Sequence, residues 1–524
     1  MRICLISAEH SPWGGMGHSE RRLATLLASR HEVTVVRSDA GMAGNPRLAK
    51  AGVREVVAEV SADVRGATFA NEEHRSSAAV LEAIEATYGD RGPDYVEVAD
   101  YRAQGLVPLQ ARRVGNPLFE STLFAVRIAG SAELVNLHDC VLSEPGVRLL
   151  GDLEREQLRL ADRLLWRGGD VADLYGRYYP FPLPPRALIR GPFEAPLAPP
   201  LPQPRDAGEP LRILYVGRLQ RHKGALDLAE ACLRLEAEDW RLTMIGADTP
   251  TAPGGQSVRM TIEAMFGGDP RLRLEEPLDH DELQGQWRAH DLLVLPSTFE
   301  TWSNVGLEAM RSGLPILATP VGGPSELVDH GVTGWLAEDV GAVALRRGLN
   351  GILSRREALE GIRASGAIFE RFRRLTDPTQ VLDGYQRLLA TPHTSVPRPH
   401  RTALPPVSVV IPHHLAGPYV EEAAASALDQ THQPVEVVIV DDGSFPDGGE
   451  ALARLACDPR VRVVAQPHWG DGPARNLGAL LARGEYVVML DADNALEPEF
   501  CERALEAFWR EPELAYVTCW LRFV

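Results

Sequence analysis

Lysine is nearly absent from this chain of 524 residues. Among its 54 basic residues only Lys50 and Lys223 are lysine, so a functional side-chain ammonium group can come from only two positions. The chain also lacks a basic block, and its formal net charge is −18, which argues against nucleic acid as the main partner. This charge still leaves room for a local cationic pocket that binds a phosphate group.

Cysteine and long apolar runs are scarce as well. The six cysteines are scattered without a C-x-x-C spacing, which favours a reduced, cytoplasmic compartment. No apolar run approaches the ~18 residues of a membrane span, so no transmembrane segment is expected, while contact with a membrane surface stays open. With 44% hydrophobic and 24% charged residues, the composition is that of an ordinary globular protein. The length predicts about three or more domains.

Strand-like apolar runs alternate with helical patterns in three blocks, which predicts an α/β fold. The first block opens with 2-RICLISA-8, and the Pro-dense stretch 180–204 indicates an interdomain connection. The second block begins at 211-LRILYVGR-218 and the third at 407-VSVVIP-412. The predicted domains are 1–195, 196–390 and 407–524, with a linker over 391–406.

A Gly-rich loop, 12-PWGGMGHSE-20, joins the first strand to the first helix. Gly14 and Gly15 let the backbone come close to a ligand, and the helix N-terminus offers unpaired N–H groups that favour an anion. The loop is not a full dinucleotide fingerprint. A tight turn without a ligand is the alternative.

Two cations follow the first strand of the second block. Gly217 ends the strand, and Arg218 and Lys223 precede the next helix. Open α/β sheets bind ligands at the carboxyl ends of their strands, where two cations suit a diphosphate. Two solvated surface cations are the alternative, but the scarcity of lysine favours a function for Lys223.

Two carboxylates flank the turn in 296-PSTFETWSNVGLEAMRSG-313. Glu300 lies in the predicted strand-to-helix loop, and Glu308 lies about one turn into the helix. The N–H groups around Asn304 and Val305 begin this helix and suit a phosphate. Ordinary acidic residues at a helix start are the alternative interpretation.

These segments, in this order, resemble the retaining GT-B glycosyltransferases of family GT4 over residues 1 to about 390. The segments that carry the resemblance are the Gly14-Gly15 loop, Gly217-Arg218 with Lys223-Gly224, Glu300 with Glu308, and 322-GGPSELVDHGVTGWL-336. The resemblance implies two Rossmann-like domains, the first on the acceptor side and the second binding the donor. It implies no cofactor for this site.

The resemblance also implies roles for individual residues. In the family an Arg and a Lys grip the donor diphosphate, and these become Arg218 and Lys223. One Glu contacts the sugar hydroxyls and another the ribose, and these become Glu300 and Glu308. Because a carboxylate accepts hydrogen bonds from two hydroxyls, the pair can hold both ends of one nucleotide sugar. The implied donor-binding residues are Gly14, Gly15, Gly217, Asn304, Val305 and Glu308.

One position departs from the family pattern, although 94-DYVEVADYRAQG-105 resembles its acidic-aromatic segment lining the cleft. Many members place a His where this chain has Ala129. His138 is a candidate substitute in catalysis, or a histidine of the core. Retaining transfer is thought to pass through a front-face step governed by positioning, so the loss predicts a weaker enzyme or a changed sugar preference.

The third block resembles the GT-A fold transferases of family GT2. The segments that carry this resemblance are 407-VSVVIP-412, 441-DDGS-444, 472-GPARNLG-478 and 490-LDADN-494. Asp491 and Asp493 end an apolar strand, and the alternation of side chains along a strand places both on the same side. Paired carboxylates of this kind suit Mg²⁺ or Mn²⁺ that bridges the donor phosphates. The alternative is an acidic pair in a solvated turn. By resemblance, Asp441 and Asp442 hold the base or ribose, with Arg475 nearby.

The chain ends soon after this acidic pair, before the acceptor half and catalytic base of family GT2. The GT-A module is therefore expected to be an incomplete donor-binding half, either truncated or degenerate. The apolar end 515-AYVTCWLRFV-524 would leave an unpaired edge, which favours a fragment.

The motifs together predict a transferase that moves a sugar from a UDP- or GDP-sugar to a glycan or other hydroxyl acceptor, as in polysaccharide assembly. Another GT-B enzyme, such as a sugar-phosphate synthase or a nucleotide-sugar epimerase, is an alternative. A catalytically silent nucleotide-sugar-binding scaffold is a further one, supported by Ala129 and the short C-terminal module.

Overall fold

Three parallel β-sheets with helices between their strands make up the computed structural model. The described residues are 1–7, 15–38, 45–66, 69–113, 115–141, 145–196, 208–391, 404–417, 419–444, 449–510, 514 and 516–519. They divide into two compact units, one holding the first two sheets and one holding the third. Within the described ranges, every helix is too short or too polar to cross a bilayer.

The first lobe is a seven-stranded parallel sheet. Its strands are β1 (Arg2–Ser7), β2 (Glu32–Arg37), β3 (Arg54–Val57), β4 (Tyr95–Ala99), β5 (Leu123–Arg127), β6 (Arg163–Trp166) and β7 (Arg186–Leu188). Its helices are α1 (Gly15–Leu27), α2 (Pro46–Lys50), α3 (Ala62–Gly66), α4 (Glu72–Tyr88), α5 (Leu106–Arg113), α6 (Ala132–Asp139), α7 (Pro145–Leu160) and α8 (Val171–Tyr178). The order β3-β2-β1-β4-β5-β6-β7 reverses direction at β1, as in a Rossmann-like sheet.

The Pro-dense stretch 180–204 contributes a strand to this sheet. Strand β7 pairs in parallel with β6 and lies at the edge of the sheet. Proline is tolerated next to an edge strand because its missing N–H removes no interior hydrogen bond. The predicted interdomain connection therefore begins with an element of the first lobe.

The second lobe is a six-stranded parallel sheet. Its strands are β8 (Leu211–Val216), β9 (Trp240–Ile245), β10 (Leu272–Glu275), β11 (Leu292–Leu295), β12 (Ile316–Ala318) and β13 (Gly334–Leu336), in the order β10-β9-β8-β11-β12-β13. Its helices are α9 (Ala225–Leu233), α10 (Val258–Phe266), α11 (His280–Ala289), α12 (Asn304–Arg311), α13 (Gly322–Leu327), α14 (Ala342–Leu353), α15 (Arg356–Ala364) and α16 (Ala367–Thr376). Strands β11 and β12 are buried along their whole length, as helices on both faces require.

A final helix, α17 (Pro378–Ala390), returns to the first lobe. Its Tyr385 is fully buried in the core that contains β1 and α1. The Tyr385 hydroxyl donates to Glu97 at 2.6 Å and accepts from Arg127 at 2.7 Å. The predicted second domain covers 196–390 as one continuous range of the sequence. Its last helix, however, packs into the hydrophobic core of the first lobe.

The third sheet has four parallel strands. They are β14 (Val407–His413), β15 (Val435–Asp442), β16 (Val461–Gln466) and β17 (Tyr486–Met489), in the order β16-β15-β14-β17. Its helices are α18 (Tyr419–Leu428), α19 (Gly449–Leu455), α20 (Asp471–Leu481) and α21 (Phe500–Arg510). The strand-helix alternation predicted for all three blocks is confirmed.

Candidate active site

An ion pair joins the two segments predicted to hold the donor. Lys223 follows β8 and Glu300 follows β11, and these strands are neighbours in a parallel sheet. Their carboxyl ends therefore meet, and Lys223 Nζ lies 2.5 Å from Glu300 Oε2. The two side chains are 24% and 14% exposed, so the pair is only partly screened by water. The structure brings together these two predicted residues.

Arg218 lies in the same region, on the loop after β8. The Tyr215 hydroxyl donates to the Arg218 carbonyl oxygen at 2.5 Å. Burial raises the pKa of Tyr215, the charge of Arg218 lowers it and that of Glu300 raises it, so both charges act on one phenol. The Arg218 side chain is exposed, and no described residue pairs with its guanidinium.

Glycine allows the backbone of this region to pack closely. Gly224 has φ 71°, and a Cβ there would lie 1.9 Å from the Pro296 carbonyl oxygen. Gly322 has φ 47°, and a Cβ there would lie 1.7 Å from the Glu300 carbonyl oxygen. Only glycine fits these positions, which fix the loops that carry Lys223 and Glu300.

Helix α12 begins at Asn304, beside the first lobe. Ser303 caps it, because its hydroxyl accepts from the Gly306 N–H at 3.0 Å. The Asn304 Oδ1 lies 3.3 Å from the hydroxyl of Ser19 in α1. The helix start, with Asn304 and Val305, therefore faces the lobe that carries the predicted Gly-rich loop. Gly15 is the first residue of α1, and Gly14 lies outside the described residues.

Glu308 is half-buried in α12, and its negative charge affects the pKa of Arg22 in α1. Burial lowers the pKa of Arg22, while the charges of Glu308 and Glu194 oppose that shift. The Arg22 guanidinium also stacks 3.8 Å above the ring of Phe193. Sequence analysis missed Arg22 because its partners are distant in the chain.

Helix α6 of the first lobe binds the Lys223 loop directly. Asp139 accepts from the His222 N–H at 2.8 Å, from its Nδ1 at 2.9 Å and from Gln220 at 2.6 Å. Burial would raise the pKa of Asp139, but the bonds from His222 and Gln220 hold it below its usual value. Asp139 thus positions the loop next to Lys223. No motif singled it out, although it is adjacent to His138.

His138 packs its ring against Phe299, with centroids 4.8 Å apart and planes at 15°. Burial lowers the pKa of His138, and the charge of His222 adds to the effect. The ring is therefore neutral near pH 7. It packs against Phe299, the residue that precedes Glu300 in the sequence. It can position the Glu300 loop through its contact with Phe299.

The loop at Ala129 contacts the Glu300 loop from the other side. The Thr301 hydroxyl donates to the Ala129 carbonyl oxygen at 3.1 Å. Asp100 holds this loop by accepting from the Ala129 N–H at 2.9 Å and the Gly130 N–H at 3.2 Å. Burial raises the pKa of Asp100 to about 6. The loop where the family places its His is thus fixed by a buried carboxyl group.

Glu154 supports the same region from α7. It is fully buried and accepts from the Arg102 and Ala132 N–H groups at 2.8 Å each. Burial raises the pKa of Glu154 from 4.5 to about 8. The folded protein therefore binds a proton here that the unfolded chain releases between these two pH values.

We expect the free energy of unfolding to fall as pH rises from about 5 to about 8.5, because the native state binds more protons than the unfolded state across that range. Glu154 should account for at least about 2 kcal/mol of this fall. Glu154→Gln should flatten the profile, since the amide carries no titrating proton. The measurement is thermal unfolding followed by circular dichroism at several pH values. Glu156→Gln, on the same helix with a side chain that is 37% exposed, is the control. Parallel profiles for the wild type and Glu154→Gln would contradict the assignment.

The third sheet carries its own polar cluster. Asp491 and Asp493 lie in the turn after β17, and Arg475 Nη2 donates to Asp491 Oδ1 at 2.5 Å. Asp493 is exposed. The structure therefore brings Arg475 to Asp491, whereas resemblance associates it with the end of β15. The carboxylates of Asp491 and Asp493 offer the oxygen ligands that Mg²⁺ and Mn²⁺ prefer.

The end of β15 holds a separate set of contacts. Asp441 accepts from the Ser444 N–H at 3.1 Å. Asp442 accepts from Gln466 at 2.7 Å and from the N–H groups of Trp469 and Gly470 at 2.8 Å each. Burial opposes the shift, but these donors hold the pKa of Asp442 at about 2. Asp442 therefore fixes the turn after β16.

Two family profiles match the chain. The family described as Glycosyl transferases group 1 matches residues 210–354, and Glycosyl transferase family 2 matches residues 408–523. The first range contains the Lys223–Glu300 ion pair, and the second contains the acidic pair after β17.

Two curated proteins illustrate these similarities. The hyaluronan synthase of Pasteurella multocida is 36% identical over 119 residues, which cover 22% of this chain and 12% of the synthase. The D-inositol 3-phosphate glycosyltransferase of Geodermatophilus obscurus is 31% identical over 234 residues, which cover 41% of this chain and 50% of that protein. The chain thus spans half of one relative and about an eighth of the other.

Solved structures resemble the first two lobes. A sucrose-phosphate synthase from Thermosynechococcus elongatus aligns with a TM-score of 0.56 at 21% identity, covering 74% of this chain and 99% of the synthase. HepE of Anabaena, in complex with UDP-glucose, aligns with a TM-score of 0.54 at 15% identity, covering 75% of this chain and 100% of HepE. At these identities the likeness establishes the fold, which is GT-B.

Proposed function

We propose a reaction for the first two lobes, and its premise is that this chain is a glycosyltransferase. The chain belongs to glycosyl transferases group 1 over residues 210–354 and to glycosyl transferase family 2 over residues 408–523. Both are the families that the sequence motifs predict. The cleft beside Lys223 and Glu300 moves a sugar from a nucleotide-diphosphate sugar to a hydroxyl acceptor, with retention. The observation that carries this proposal is the 2.5 Å contact between Lys223 and Glu300.

The donor diphosphate binds at the carboxyl ends of β8 and β11. Lys223 and Arg218 offset the charge that develops on the leaving phosphate oxygen, and the N–H groups at the start of α12 point toward it. Donor binding exchanges the Lys223–Glu300 contact for contacts with the phosphates and the sugar hydroxyls. Glu308, further along α12, accepts hydrogen bonds from the ribose.

The transfer breaks the bond between the anomeric carbon and the phosphate oxygen and forms one to the acceptor oxygen on the same face. The acceptor proton passes to the departing phosphate oxygen, so no side chain has to act as a strong base. Positioning of donor and acceptor then supplies most of the rate. Asp139 and His138 contribute by holding the loops of Lys223 and Glu300.

The family 2 module is proposed to bind a second nucleotide-sugar donor. Asp491 and Asp493 would hold Mg²⁺ or Mn²⁺, which would neutralise charge on the donor phosphates. Arg475 holds Asp491 in place. The Asp442 turn supports the proposed base and ribose site.

The proposal is tested with the full chain and a panel of UDP- and GDP-sugars. We expect one donor to raise the unfolding temperature, since a ligand at ~100 times its dissociation constant adds about 2.7 kcal/mol. The same donor should release nucleotide in the presence of EDTA, which removes the metal of the family 2 module. NMR of the transferred sugar should show retention. Binding without release would instead support a silent scaffold, which Ala129 favours.

A further inference from the structure

A narrow cavity lies in the first lobe at the carboxyl ends of its central strands. Its polar lining consists of Ser19, Glu20, Glu97, Arg127 and Arg167, and Ala129 and Gly191 also line it. Its volume is about 30 Å³. One water molecule needs ~10–15 Å³ on this measure, so the cavity has room for a carboxylate or part of a phosphate group but not for a sugar ring.

All three nitrogens of the Arg127 guanidinium donate hydrogen bonds within the protein. Its Nε donates to Glu97 at 2.6 Å, its Nη1 to the Ile189 carbonyl oxygen at 2.9 Å and its Nη2 to Tyr385 at 2.7 Å. Glu97 also accepts from Tyr95 at 2.7 Å. This ion pair is therefore internally satisfied, and neither partner needs a ligand.

Arg167 is different. No described residue accepts a hydrogen bond from its guanidinium or forms an ion pair with it, and its Nε has neither solvent contact nor acceptor. Burial lowers the pKa of Arg167 to about 10, the charge of Arg127 adds to this, and Glu97 and Glu20 oppose it. Arg167 is half-buried, and its Nε is cut off from water without an acceptor. Such a nitrogen costs free energy, so a residue of this kind at a cleft is typical of a binding site.

The cavity adjoins the proposed donor site. Ala129 lines the cavity, and its carbonyl oxygen accepts from Thr301, the residue after Glu300, at 3.1 Å. Ser19 lines it too and lies 3.3 Å from Asn304 at the start of α12. A group inside the cavity would therefore lie close to a sugar held by Glu300.

We propose that the acceptor of this cleft carries a carboxylate or phosphate group, which enters the cavity and binds Arg167. The planar guanidinium matches two oxygens of such a group, and a charge-assisted bond is stronger than one to a neutral hydroxyl. The acceptor ring stays at the mouth of the cavity with its reacting hydroxyl toward the donor. This inference rests on the proposed function and names the acceptor class of the same site.

The test compares matched acceptors with the full chain in EDTA, using the donor that releases nucleotide. The probes are 4-nitrophenyl β-D-glucuronide against 4-nitrophenyl β-D-glucoside, and glucose 6-phosphate against glucose. We expect kcat/KM to be about 10–100-fold higher for the anionic member of at least one pair. The two pairs distinguish a carboxylate from a phosphate.

Variants of Arg167 then show whether this side chain causes the preference. Arg167→Met and Arg167→Gln should bring the ratio near one, and Arg167→Lys should keep part of it. Arg163→Met, on the strand that Arg167 directly follows and outside the cavity, should keep the full ratio. Because Arg167→Met removes a half-buried unpaired charge, it should unfold at the same or a higher temperature than the wild type.

The outcomes separate the two proposals. No nucleotide release by the wild type from any donor would overturn the proposed function. Nucleotide release with equal kcat/KM for anionic and neutral acceptors would overturn only the anionic acceptor. An anionic preference that survives in both Arg167→Met and Arg167→Gln would also overturn it, because the selecting charge would then lie elsewhere.

Discussion

Lys223→Met is expected to lower kcat/KM for donor turnover by about 10²–10³-fold, because one of the cations that offsets charge on the leaving phosphate is lost. Glu300→Gln should cause a loss of similar size, since the amide accepts hydrogen bonds from sugar hydroxyls less strongly than the carboxylate does. A hundredfold loss corresponds to about 2.7 kcal/mol of transition-state stabilisation. Nucleotide release from the preferred donor in EDTA is the measurement.

The chain provides an unusually direct control for Lys223. Its other lysine, Lys50, is exposed at the end of α2 in the first lobe. Lys50→Met removes the same charge from the same protein and should keep wild-type turnover. Since Lys223 and Glu300 contact each other, the losses in a Lys223→Met/Glu300→Gln double variant should fall short of additive. Wild-type turnover in Lys223→Met would refute the proposed donor site.

Gly322→Ala is expected to reduce both stability and turnover strongly. The new Cβ would lie 1.7 Å from the Glu300 carbonyl oxygen, so α13 or the Glu300 loop must move. With the added strain of φ 47°, we expect a loss of about 3 kcal/mol or more in the free energy of unfolding. Urea unfolding and donor turnover measure the two effects.

Gly331→Ala separates the overlap from the backbone strain. Gly331 has φ 75°, but a Cβ there would meet nothing within 4 Å. It should therefore cost only about 1–2 kcal/mol, the penalty of the left-handed conformation, and leave turnover unchanged. Equal losses in Gly322→Ala and Gly331→Ala would show that the contact with Glu300 does not matter.

Local patterns predicted much of this architecture. Apolar runs that end in Gly or Pro marked β8 and β11, and the residues directly after a parallel strand belong at the ligand-binding edge of a sheet. Lys223 and Glu300 could thus be placed together before any coordinates were known. Their neighbouring strands bring the loops side by side, and the glycines that the loops require are visible in the sequence.

Other residues carry no such local signal. Asp139 contacts His222 across the two lobes, and Arg22, in helix α1 of the first lobe, interacts electrostatically with Glu308 in the second. Such contacts depend on how helices pack between lobes, which hydrophobic periodicity does not encode. Arg167 follows a strand as Lys223 does, but it is one of many arginines and does not stand out in the sequence. Only the structure shows that its Nε has no hydrogen-bond acceptor.

The return of α17 to the first lobe has a consequence for biosynthesis. Tyr385 supplies both a buried ring and a hydroxyl to the Glu97–Arg127 pair, so this pair is incomplete until the ribosome has made α17. The hydrophobic core of the first lobe can therefore be completed only after the second lobe has been synthesised. The order of synthesis therefore differs from the order in which the hydrophobic cores of the two lobes can be completed.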